Sequence, residues 1–226
     1  MPLAKFSIGI VLSNFLEDCL VYRDEDILVI NKPAGLLSVP GKGEDLFDSV
    51  LTRLQALEPK TLLIHRLDRD TSGLLVFALN KAAQSHISKQ FQNRQTEKLY
   101  QAIVEGEVLQ QQGTIDVPVC YDPTRPPLHI ADPDFPKPAL THYRVLESLV
   151  LKGIQVTRVA LMPVTGRSHQ LRVHTQYLGH PIVGDTLYAT EQGIALSDRL
   201  YLHATELSFE HPVTAQQLHF KCLPAF

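Results

Sequence analysis

The sequence predicts an α+β fold carried by a largely antiparallel, mixed β-sheet flanked by helices and loops. Three observations lead there. Segments with strand periodicity outnumber those with helical periodicity, and the two kinds do not alternate strictly. Hydrophobic residues make up 44% of the 226-residue chain, enough for one well-filled core in a single domain. Charged residues are an ordinary 20%, so disorder is not the default. The formal net charge of −3 gives by itself no reason to expect a polyanion partner.

Residues 1–19 read as an N-terminal extension and 20–226 as the domain proper, and no additional N-terminal domain is expected. Phe6–Leu16 is apolar, yet Ser13-Asn14 interrupts it and only Lys5 precedes it, which is not a signal-peptide pattern. No run approaches the roughly 20 apolar residues of a membrane span, so a cytoplasmic protein without a membrane partner is expected. Leu20–Ile30 gives two short strands around an acidic turn at Asp24–Asp26, and Asn31-Lys32-Pro33-Ala34-Gly35 breaks the second. Gly41-Lys42-Gly43 lies in a loop and lacks the GxxxxGKS/T spacing of a phosphate cradle.

Leu46, Phe47, Val50, Leu51, Leu54 and Leu57 recur at helical intervals and predict an amphipathic helix stopping before Pro59. Thr61–Ile64 and Leu74–Leu79 are apolar strands, and Asn80 is placed to cap a helix running to about Asn93. Residues 97–108 and Thr114–Val119 read as strands. Seven prolines between Pro118 and Pro138 remove backbone donors and predict a long functional loop without regular structure. It is read as a loop rather than a linker because strands resume at Ala139–Glu147 and Gly153–Met162. Thr165–His174 opens a helix expected to stop at Gly179 before Pro181. Strands close the chain at Leu200–Phe209 and Leu218–Cys222.

The densest chemistry lies between two of these strands, in Ile64-His65-Arg66-Leu67-Asp68-Arg69-Asp70-Thr71-Ser72-Gly73. A rigid scaffold presents a reactive loop in this way. Alternating Arg and Asp would also suit a surface ion-pair cluster, but Leu67 wedged among the charges counts against a merely solvated turn. A catalytic carboxylate needs a partner that keeps it ionised; Asp68 has Arg66 and Arg69 nearby and Arg172 at a distance. From Lys60 to Lys98 seven basic residues face three acidic ones, a local footprint that a nucleic acid could use.

Other chemistries fit less well. His169 and His174 do not match the helical metal-ligand pattern and there is no HExxH, so no metal is expected. Ser72 lacks the GxSxG elbow of a serine hydrolase. Asp68 and Asp70 are two residues apart in a short loop, and without Trp there is no sugar platform to suggest a glycosidase. Cys19, Cys120 and Cys222 are scattered, as suits a reducing compartment.

His65-Arg66-Leu67-Asp68-Arg69-Asp70-Thr71-Ser72-Gly73-Leu74 resembles the signature of the RluA family of RNA pseudouridine synthases. Three further stretches resemble that family's motifs in the same order. They are Val29–Leu36, Lys98-Leu99-Tyr100-Gln101-Ala102 and Gly166–His174. Leu36–Gly41, the Cys- and Pro-rich loop near 120–127 and Gly179–Asp185 are most similar to the compact, dual-specificity branch of the family, whereas Thr124–Pro138 follows it only loosely.

The resemblance implies an isomerase that flips a uridine out of a structured RNA and rejoins its base to the sugar through carbon. The implied RNAs are a tRNA anticodon loop and a large-subunit rRNA hairpin. That reaction changes no oxidation state, so no cofactor is expected. Asp68 corresponds to the nucleophile, Tyr100 to the tyrosine that stacks on the uracil, and Arg172 to the arginine paired with the nucleophile. Arg66 corresponds to the residue that fills the vacated stack, and Leu171 packs on the flipped base. Arg69, Arg167 and His169 are expected at the RNA, and the protein is expected to be a monomer. The alternative is a non-catalytic RNA-binding or RNA-folding module, whose mark would be a missing nucleophile, tyrosine or arginine.

Overall fold

The computed structural model describes residues 14–226, so most of the N-terminal extension and of the apolar stretch Phe6–Leu16 lies outside the described residues. In chain order the elements are β1 (Leu20–Arg23), β2 (Ile27–Lys32), α1 (Val50–Leu57), β3 (Leu62–Leu63), β4 (Ser72–Ala78) and α2 (Lys81–Gln92). Then come β5 (Glu97–Glu105), β6 (Gln112–Asp116), β7 (Val119–Tyr121), β8 (His129–Ala131), β9 (Leu140–Leu151) and β10 (Ile154–Pro163). The chain ends with α3 (Gln170–Tyr177), α4 (Glu191–Leu196), β11 (Leu202–Glu210) and β12 (Gln217–Lys221). The class is α+β, as the sequence predicts. Two compact units divide the chain. One holds residues through Thr96 with Glu206–Cys222, and the other holds Glu97–Thr205 with Leu223–Phe226.

In the first unit β1, β2 and β4 lie in that order with antiparallel pairing; β3 also pairs with β4, and β12 with β11. All seven residues of β4 are buried, which explains its uninterrupted apolar run. Register sets Val29 opposite Val76, and Ile27, Val29, Leu74, Val76, Leu207 and Phe209 form a core that α2 covers with Ile87. Each such side chain contributes about 1.5–3 kcal/mol. Asn80 caps α2 as expected, accepting the Ala83 N–H at 2.9 Å. The first helix differs from expectation: it starts at Val50, not Leu46. Ser49 and Thr52 form a reciprocal capping box there, and Phe47 is left 65% exposed.

In the second unit the strand order is β5-β10-β9-β6, antiparallel throughout. Lys152 and Gly153, with φ of 49° and 82°, close the β9–β10 hairpin in a two-residue turn. Left-handed backbone at both positions matches the twist of the flanking strands. Ala102, Val104, Val159, Leu161 and Ile182 fill one core of this unit, and Ile103, Val156, Val183 and Leu196 another. α3 ends as predicted at Gly179, whose φ of 88° allows a double closure. The Gly179 N–H donates to the Gln176 carbonyl and the His180 N–H to that of Thr175, a Schellman motif.

The proline-dense stretch corrects the sequence reading. It carries the β7–β8 hairpin, because the pairs Val119↔Ala131, Cys120↔Ile130 and Tyr121↔His129 use no proline. The prolines occupy the turn and flanks, where their missing donors cost nothing. The six-residue α4 was not foreseen; Thr190 caps it by accepting the Gly193 N–H.

His174 is fully buried in α3, with Nδ1 2.8 Å from Thr141 Oγ1 and Nε2 2.9 Å from the Val117 carbonyl. Burial lowers its pKa from the ordinary 6.5, against opposing pulls from the Val117 carbonyl and Asp116. The fold thus favours neutral imidazole. This contribution is fully present above the unfolded value near 6.5 and is lost as pH falls through the lower folded one. Unfolding midpoints should drop as pH falls below about 6.5, and His174→Gln should flatten that drop. An equal drop in the variant would assign the pH dependence to other groups.

Candidate active site

The loop from Ile64 to Thr71 joins β3 to β4, and buried groups hold its main chain at several points. Leu67 is buried and clasped by Ser38, whose hydroxyl donates to the Leu67 carbonyl at 2.7 Å and accepts the Leu67 N–H at 3.1 Å. Lys32 has no exposed surface. Its ammonium donates to the carbonyls of Pro33, Leu36 and Arg69 at 2.8, 2.7 and 2.8 Å. The Gly35 N–H reaches the same Arg69 carbonyl at 3.0 Å. His65 accepts the Val76 N–H at 3.2 Å and stacks on Phe91 with centroids 4.4 Å apart, a role in loop architecture.

Asp68 opens a tight turn, its carbonyl accepting the Thr71 N–H at 3.2 Å. The peptides on either side, at Leu67 and Arg69, are both anchored. The Asp68 side chain is half-buried, whereas Arg66 and Arg69 are exposed. Arg69 turns its Nε to Asp70 at 3.1 Å, a solvent-facing pair worth little to stability. Ser72 and Gly73 are the first residues of β4.

In the second unit Tyr100 lies on β5 opposite Leu161 of β10, half-buried against the core. α3 begins at His169, which holds a left-handed φ of 54° without a side-chain cap. The neighbouring Gln170 instead ties the turn ahead of the helix to β9. Its Oε1 accepts from the Arg167 N–H and the Thr165 hydroxyl, and its Nε2 donates to the Leu140 carbonyl and to Thr141 Oγ1. The first turn of α3 carries Leu171, buried in the core, and Arg172. Arg172 is only 3% exposed. Its Nε and Nη2 donate to the two oxygens of Asp185 at 2.7 and 2.6 Å, and its guanidinium lies 5.0 Å from the Tyr188 ring centroid. Arg167 Nε donates to the Pro138 carbonyl at 3.2 Å.

The family described as RNA pseudouridylate synthase matches residues 26–177. A protein of Vibrio parahaemolyticus, named dual-specificity RNA pseudouridine synthase RluA, is 51% identical over 195 residues, 85% of this chain and 78% of its own. A Pasteurella multocida protein of the same name is 45% identical over 207 residues, 92% of this chain and 93% of its own. The chain belongs to the RluA family of RNA pseudouridine synthases. The solved human RNA Pseudouridylate Synthase Domain Containing 1 shares the fold with a TM-score of 0.80 and 34% identity, covering 92% of this chain and 84% of that one.

As an RluA-family protein it is an isomerase that acts on RNA. The first unit holds Arg66, Asp68 and Arg69 together in one loop; the second holds Arg167, His169, Leu171 and Arg172 around the start of α3, with Tyr100 on β5. Sequence reading missed Lys32, Asp185 and Tyr188. Asp185 had a signal: it closes the family-like stretch Gly179–Asp185 and follows the apolar Pro181-Ile182-Val183. Lys32 lies inside the family-like stretch Val29–Leu36, but its role had no signal, since the carbonyls it binds are gathered only by the fold. Among the described residues, Asp24, Asp26 and His211 bring ligand-type atoms within 4.8 Å of one another. Hydrogen bonds already occupy that turn, with Asp24 accepting from Asp26 and Ile27 N–H, the Tyr22 hydroxyl and His211 Nε2. No described helix is long and apolar enough to cross a membrane.

Proposed function

We propose that this RluA-family enzyme converts uridine to pseudouridine in two RNAs, a tRNA anticodon stem-loop and a hairpin of large-subunit rRNA, with Asp68 as the nucleophile. The observation that carries the chemistry is the turn at Asp68, anchored on both sides by buried donors, which fixes a carboxylate at a half-buried position. The names of the two RluA relatives support the dual substrate.

In the proposed reaction a uridine is flipped from its stack, at a cost of a few kcal/mol, and Arg66 fills the gap. Asp68 attacks at C1′ or at C6. The bond from N1 to C1′ breaks, the uracil turns, and C5 bonds to C1′ with release of the carboxylate; C5 then loses its proton and N1 takes one up. Atoms and electrons balance without any co-reactant. Tyr100 stacks on the ring and Leu171 packs against it, while Arg69, Arg167 and His169 contact the RNA. Arg172 is assigned the role of keeping the nucleophile ionised, which suits a guanidinium because it stays charged. We also propose a monomer and a cytoplasmic location, the latter supported by three free cysteines, which suit a reducing compartment.

Pseudouridine mapping of total RNA from cells with and without the gene tests this. Loss of signal at one anticodon-loop position and one large-subunit hairpin is expected. Loss at a single site would overturn the dual specificity but keep the chemistry; no loss anywhere would overturn the proposal.

A further inference from the structure

We infer that Tyr188 is a positioning residue, which couples the β7–β8 hairpin to Arg172 and to the start of α3. The inference rests on the roles proposed above for Arg172 and His169. Tyr188 is 5% exposed and touches Arg172 by two routes. Its ring carries the guanidinium at 5.0 Å, and its N–H donates at 3.2 Å to Asp185 Oδ1, an oxygen that Arg172 also binds. The hydroxyl faces other partners. Tyr188 Oη accepts the main-chain N–H of His129 at 2.9 Å and lies 2.7 Å from His169 Nδ1.

Those two partners give the hydroxyl its leverage. His169 holds a left-handed backbone that non-glycine residues rarely adopt, and it stands directly before Gln170-Leu171-Arg172. His129 is the first residue of β8, and its ring meets Tyr121 at 5.6 Å and His169 at 4.7 Å between centroids. Tyr121 is 50% exposed. A chain of rings thus runs from an exposed aromatic on the hairpin, through both histidines and Tyr188, to a buried guanidinium. Phenylalanine could supply the ring face alone, and an aliphatic residue neither part. Tyrosine supplies both, so the ring and the hydroxyl are separable by substitution.

Steady-state kinetics on a synthetic anticodon stem-loop, with unfolding midpoints measured in parallel, separate the two. Tyr188→Phe keeps the ring under Arg172 and frees His169 and the hairpin. KM should rise at least about fivefold with kcat within about twofold of wild type. Tyr188→Leu should show the same rise in KM and also lower kcat at least about tenfold. A role in folding alone would lower the midpoint without this KM-against-kcat split, and that result would overturn the inference. An unchanged KM in Tyr188→Phe would do the same, even if Tyr188→Leu failed to fold. A wild-type enzyme without turnover on this RNA would instead overturn the substrate reading on which the inference rests.

Discussion

Replacing Asp68 with Asn is expected to lower pseudouridine formation at least about 10³-fold while RNA affinity and the unfolding midpoint stay near wild type. The amide matches the carboxylate in shape but is no nucleophile. Ser38, Lys32 and the Thr71 N–H hold the loop through the main chain at positions 67–69, and these three contacts do not use the Asp68 carboxylate. Release of tritium from RNA labelled at uridine C5 reads the chemistry directly, because that hydrogen leaves when the base rejoins through C5. Release at the wild-type rate would move the nucleophile elsewhere. A parallel fall in the unfolding midpoint would make Asp68 a structural residue.

Lys32→Met should destabilise the fold by about 3 kcal/mol or more. Methionine nearly conserves the volume, so a cavity is not the cause. The loss comes from withdrawing a buried ammonium from the carbonyls of Pro33, Leu36 and Arg69. The Arg69 carbonyl keeps its bond from Gly35, whereas the other two lose a charged donor. Urea unfolding measures the change. A difference below about 1 kcal/mol would show that the carbonyls find other donors. Because Arg69 directly follows Asp68, activity of the folded variant should fall as well.

Much of this was legible in the sequence where local rules act alone. Asn80 and Gly179 marked helix ends by cap chemistry, and the alternation in β5 and the apolar run of β4 marked strands. Errors arose where two local signals competed. Helical spacing from Leu46 to Leu57 lost to the capping box at Ser49, and the proline count hid a hairpin whose paired residues contain none. The residues of the candidate site were readable as motifs. Their supports were not: Lys32, Asp185 and Tyr188 gain meaning from carbonyls, a guanidinium and histidines that are distant in sequence.

The division of the chain also sets a timetable for the ribosome. The first unit begins the sequence, yet its core includes Leu207 and Phe209, so it stays incomplete until all of Glu97–Thr205 has been made. At about 5–20 residues per second that wait lasts roughly ten seconds. Throughout it β2 and β4, among the most apolar strands of the chain, have no finished core to enter. Within the second unit the long β9–β10 hairpin can pair locally, because a two-residue turn joins its strands. Nascent chains of this enzyme thus carry two of their most apolar strands early and complete the core that buries them late.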